Sequence, residues 1–131
     1  TDAGAVEFSE LASAFCKRKG LNSRLRYFVP LCAEELSICL IGQGMENKVK
    51  DPSVHVKILL CDQSLTMSFR DNSPRCDLLK RAEEWSLHDD RPERFIGTRM
   101  ALKLADGFRY IPLMDQNNTM ITFNLSKGET A

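Results

Sequence analysis

From Val54 to Arg70, apolar and polar residues alternate twice. Val54, Val56, Ile58 and Leu60 alternate with His55 and Lys57; past Asp62-Gln63, Leu65, Met67 and Phe69 alternate with Thr66, Ser68 and Arg70. A period of two puts one set of side chains on a single face of each strand, so the segment reads as an antiparallel hairpin with one apolar face. Such a face is stable only when another element covers it. The chain offers helices on both sides of the hairpin. Residues 6–19 carry Phe8, Leu11, Ala12, Phe15 and Cys16 at helical spacing and stop at Gly20. A second stripe, Val29, Cys32, Leu36 and Leu40, follows a potential N-cap at Ser23 and is expected to break at Gly42 and Gly44. Pro30 falls inside that stripe, and an interior proline costs about 3 kcal/mol, so the pattern predicts a kink there or a helix starting near Pro30. Residues 97–106 read as a third helix capped by Gly107, and 108–113 with 119–125 as a closing hairpin across Asp115-Gln116-Asn117-Asn118.

The order α, α, β, β, linking segment, α, β, β predicts one α/β domain over residues 1–131. It is expected to be a two-layer sandwich whose largely antiparallel mixed sheet is covered on one face by helices. A chain of 131 residues with 43% hydrophobic content can bury one such core. Residues 71–95 are polar and irregular, with at most a short helix near 78–85. Plain loops beyond about 12–15 residues are uncommon in a compact domain, so this segment is expected to be a lid.

Eighteen basic and eighteen acidic side chains cancel, which argues against nucleic acid or an anionic membrane as partner. The five cysteines, Cys16, Cys32, Cys39, Cys61 and Cys76, are odd in number and contain no CxxC. They suit reduced thiols in a cytoplasmic protein better than a disulfide framework or a zinc site. No apolar run approaches the roughly 20 residues that cross a bilayer, and the amino end lacks a signal-peptide pattern. His55 and His88 have no ligand-like company, the mixed charges of 88–94 suit a solvated loop, and Trp85 is the single tryptophan in the expected lid.

Three short motifs fall in a defined order. Glu35 and Cys39 lie four apart on the second helix and so share a face, with Gln43-Gly44 after them. Asp71 ends the first hairpin and is followed by Ser73 and Arg75. Gly97 opens the third helix, with Thr98 and Arg99 in its first turn and Lys103 further along. Each has a plain reading beside the functional one. Glu35 suits a solvated helix carboxylate, Cys39 a small buried residue, Asp71-Asn72 a turn, and Gly97 a loop glycine.

In this order the motifs resemble the ATPase domain shared by gyrase, histidine kinases and the MutL repair proteins, the GHKL family with its Bergerat-type ATP-binding fold. The likeness is greatest to the anti-sigma-factor branch of protein serine kinases and partner-switching regulators. It covers nearly the whole chain to Phe123, although the amino-terminal strand common in that branch is not evident.

The resemblance implies that Glu35 is the catalytic residue that orients or deprotonates the attacking hydroxyl. It implies that Cys39, Asp71, Ser73, Arg75, Gly97, Thr98 and Arg99 line a nucleotide site, with Asp71 accepting from the adenine amino group. ATP is the implied cofactor. Cys39 stands where the family has a magnesium-binding asparagine, and a thiol is a poor ligand for a hard cation, which leaves Mg2+ doubtful. Ser73 and Arg75 replace small residues, and Gly97 alone remains of a glycine-rich phosphate cradle. The implied function is an anti-sigma-factor-like regulator with an eroded nucleotide site and catalysis lost. The alternative is a partner-switching module that binds no ATP. Either implies a regulatory protein partner, a sigma factor or an antagonist-like protein, and allows a homodimer.

Overall fold

Four rungs of inward-facing side chains cross the middle of the sheet, and they change character along its length. Leu65 faces Phe123, Met67 faces Ile121, Phe69 faces Thr119 and Asp71 faces Asn117. All eight residues are buried. One end of the sheet is therefore an apolar floor and the other a buried polar corner.

The computed structural model describes residues 2–80 and 96–125. Its elements are α1 (Asp2–Arg18), α2 (Ser23–Glu46), β1 (Val54–Leu60), β2 (Ser64–Asp71), α3 (Ile96–Leu104), β3 (Gly107–Leu113) and β4 (Gln116–Asn124). The strands form one sheet in the order β1-β2-β4-β3, with every described pair antiparallel. Leu25, Val29, Cys32, Leu36 and Leu40 of α2 join Ala12 and Cys16 of α1, Ala101 and Leu102 of α3 and the inward sheet residues in a single core. The expected two-layer α/β sandwich is thus observed. Among the described residues no helix is long and apolar enough to cross a membrane.

Local chemistry accounts for the boundaries. α1 stops where expected: Gly20 takes φ +65, and its N–H and that of Leu21 reach back to Lys17 O (3.1 Å) and Cys16 O (3.0 Å). The cap of α2 is Asn22, not Ser23; its Oδ1 accepts from Leu25 N at 3.0 Å. α2 continues through Pro30 and through Gly42 and Gly44 to Glu46. The proline penalty is outweighed because buried residues flank it, Leu25 and Val29 before, Cys32, Ala33 and Leu36 after. The same buried face extends through Gln43 and Gly44, which holds the last turns in place.

The closing hairpin turns earlier than its asparagines suggest. Leu113 pairs with Gln116, so Met114-Asp115 make the turn, with Met114 at φ 57, and Asn117 and Asn118 belong to β4. Gly107 opens β3 instead of capping α3, which ends at Leu104. Of the expected lid, Asp71 closes β2, 72–77 form a loop and 78–80 are helical. Residues 81–95, with Trp85 and His88, lie outside the described residues.

Candidate nucleotide-type site

The buried polar corner is built around Asp71, the last residue of β2, which is 2% exposed. Its Oδ2 accepts from the Ser73 backbone N–H at 3.1 Å, from the Ser73 hydroxyl and from Asn117 Nδ2 at 3.2 Å. Its Oδ1 is buried and has no hydrogen-bond partner among the described residues. Burial pushes the Asp71 carboxyl above the usual carboxylate range, while the bonds from Ser73 and Asn117 pull it back.

Asn117 ties the corner together. Its Nδ2 also donates to Ser73 O (2.8 Å) and Pro74 O (3.2 Å), and its Oδ1 accepts from the Tyr110 hydroxyl. That hydroxyl accepts from Cys76 N at 3.0 Å. The loop after β2 is thereby fastened to β3 and β4 at Ser73, Pro74 and Cys76. Its far side is held by Asn72, whose Oδ1 takes Ser53 N at 2.9 Å and whose Nδ2 donates to Asp51 O at 3.0 Å.

A second cluster forms where α2 meets α3. A Cβ built on Gly97 would overlap the Glu35 carboxylate, the far end of a flexible side chain, so the carboxylate packs directly on the α3 entry in this rotamer. Thr98, 2% exposed, donates through its hydroxyl to Glu35 O at 3.4 Å. The same hydroxyl bonds the Cys39 thiol, lowering a pKa that burial otherwise pushes up to about 11. Burial, followed by the neighbouring Glu34, raises the Glu35 carboxyl above its ordinary value. The two clusters are close enough that the Asp71 charge also disfavours a Cys39 thiolate.

The structure thus brings Glu35, Cys39, Gly97 and Thr98 into one joint, and Asp71 and Ser73 into the adjoining corner. Arg99 is half-buried in the first turn of α3. Arg75 stands apart, exposed on the loop, and lines two open clefts of about 330 and 390 Å3 on either side of it. Sequence reasoning missed Asn117 and Tyr110. The available signal was the period of two, which counts back from Phe123 through Ile121 and Thr119 to Asn117.

The donor set does not fit magnesium. Where the resembled family carries its magnesium ligand this chain has Cys39, a buried thiol whose pKa burial pushes up to about 11, and among the described residues no group of three or more His, Cys, Asp or Glu is placed to hold a metal. A nucleotide of the resembled family would use the α3 entry and the Asp71 carboxyl, and both carry contacts from within the chain, although Asp71 Oδ1 bonds none of the described residues. Glu35 lies against the α3 entry, and three donors already occupy one oxygen of Asp71. No protein-family model matches the sequence, and no curated protein matches it.

Proposed function

We propose that this chain is a cytoplasmic regulatory domain on the GHKL plan, akin to the anti-sigma-factor serine kinases, with a nucleotide site altered beyond phosphoryl transfer. It works through a regulatory protein partner, a sigma factor or an antagonist of one. The observation that carries the reading is the Glu35 carboxylate packed on Gly97 beside Cys39. Phosphoryl transfer is mostly positioning and electrostatic stabilisation, and it needs a metal, a phosphate cradle and a positioned acceptor together. Here Cys39 supplies no oxygen ligand, and a negative side chain takes the space at the helix entry where a phosphate would lie. Glu35 in that place serves the joint between α2 and α3 instead of activating a hydroxyl. Incubating the purified chain with γ-labelled ATP, magnesium and a sigma-factor antagonist tests this. Neither hydrolysis nor a labelled serine is expected, and label on serine above background would restore the kinase.

The second reading, a partner-switching module that binds no nucleotide, draws support from the outward face of α2, where Tyr27 and Met45 are 68% and 65% exposed on one side of the helix. Calorimetry with adenine nucleotides separates the two: heat of binding supports an altered nucleotide domain, and its absence the partner-only module.

A further inference from the structure

We infer that the open face of the sheet, turned away from the helices, docks an acidic protein segment on Lys57, Arg70 and Arg109. This face lies across the sheet from the Asp71 corner and the α2–α3 joint, and the inference does not rest on the nucleotide-type reading.

The strand register places the three cations. Residues that alternate with the buried set point outward. One outward rung reads Lys57, Ser68, Met120, Arg109 across β1, β2, β4 and β3, and the next reads His55, Arg70, Asn118, Ile111. Lys57, Arg70 and Arg109 are exposed, and among the described residues none of them forms an ion pair. No outward position of the four strands carries Asp or Glu. The acidic residues that flank the strands, Asp51, Asp62, Asp106 and Asp115, lie in the connections at their ends. Asp106 is engaged there by Asn124 N at 2.8 Å and by Arg24 at 3.8 Å. A chain whose 18 basic and 18 acidic side chains cancel has thus set one face apart as wholly positive, whereas a surface that serves solubility alone intersperses both signs.

The remaining side chains select the partner. A sheet that binds single-stranded nucleic acid stacks bases on outward aromatic rings. Here the aromatic residues of the strands, Phe69, Phe108, Tyr110 and Phe123, all belong to the inward set: Phe108 pairs with Ile121 and Tyr110 with Thr119, both buried. Strands about 4.8 Å apart and a repeat of about 6.8 Å along each put the three cations roughly 8–14 Å from one another, the interval between carboxylates two and four positions apart in an extended segment. The guanidinium forks of Arg70 and Arg109 suit such carboxylates. Leu59 and Ile111, 47% and 38% exposed on the outer strands, add an apolar margin on each side.

Fluorescence anisotropy of the full chain with a labelled peptide alternating glutamate and serine tests this, beside the same peptide with glutamine for glutamate, oligouridylate and phosphatidylserine vesicles. The glutamate peptide is expected to bind and the glutamine peptide not. Lys57→Gln, Arg70→Gln and Arg109→Gln together should weaken binding roughly tenfold, since each exposed pair contributes a few-fold. Lys17→Gln, Arg18→Gln and Lys19→Gln remove the same charge at the end of α1 and should leave binding nearly unchanged. Ser68→Glu sets a carboxylate directly opposite Lys57, so it should abolish binding while the thermal midpoint holds or rises. Equal weakening by the two triple variants would reduce the effect to net charge and overturn the inference, as would binding that survives Ser68→Glu or no binding of the glutamate peptide at all. Tighter binding of oligouridylate or vesicles than of peptide overturns it in favour of that polyanion. A dimer that the sheet-face triple variant dissociates overturns it in favour of a second copy of the chain.

Discussion

Replacing Asn117 by alanine tests how much of the domain depends on its buried corner. The change removes one bond to the Asp71 carboxyl, two to the carbonyls of Ser73 and Pro74, and the acceptor of the Tyr110 hydroxyl. A hydrogen bond to a charged group contributes about 1.5–3 kcal/mol, and each buried group left unpaired costs about 1–3 kcal/mol. Asp71 Oδ2 keeps both bonds from Ser73, and the Pro74 carbonyl is only partly buried, so water recovers part of the loss. The expected cost is about 2–4 kcal/mol, a large share of the roughly 5–15 kcal/mol that holds a domain together. Urea titration should show a lower midpoint with an unchanged slope. Asn118→Ala is the matched control one residue along: its bonds to Ile111 O (3.1 Å) and from Arg70 Nε (3.5 Å) are on the exposed side of the sheet, so it should cost no more than about 1 kcal/mol. Equal losses in the two variants would refute the reasoning, because the buried network would then be no stronger than a surface one. Tyr110→Phe in a double-mutant cycle with Asn117→Ala should show coupling, since both act on one chain of bonds.

Three other outcomes follow from the α2–α3 joint and the thiols. Gly97→Ala should change stability by no more than about 1 kcal/mol, because the Glu35 carboxylate can rotate away and alanine favours the helix; outright unfolding would show that this carboxylate is locked. Maleimide at neutral pH should label exposed Cys61 quickly and buried Cys16, Cys32 and Cys39 only after unfolding, as read by mass spectrometry. Glu35→Gln should flatten the pH dependence of stability. A carboxyl raised in the folded state binds its proton more tightly there, so its contribution is present in acid and disappears as pH rises through the ordinary carboxylate range and past the raised value. The variant should therefore match the parent at low pH and exceed it at neutral pH, and a variant less stable at neutral pH would contradict the sign.

The fold was legible because its signals are local and repeated. The alternation in β1 and β2, the stop at Gly20 and the stripe of α2 each depend on neighbours a few residues away, and the structure keeps them. The boundaries that moved did so through distant contacts. Pro30 and Gly42 sit in a continuous α2 because the buried face on either side of them is held by the rest of the core. The site was half legible. Glu35, Cys39, Gly97 and Thr98 meet at one joint, yet spacing alone gave no sign that a carboxylate would fill the helix entry.

Asn117 shows why the rest was hidden. Asparagine next to asparagine after Asp115 suits a turn, because its side chain bonds nearby backbone and tolerates left-handed φ. Two observations override that preference. The left-handed position is taken by Met114, whose side chain is 88% exposed and therefore unconstrained by packing. The inward position at the end of β4 faces Asp71, and a buried carboxylate there requires donors that no apolar residue has. The amide of Asn117 is thus fixed by a residue 46 positions away in sequence, a dependence that no local pattern encodes.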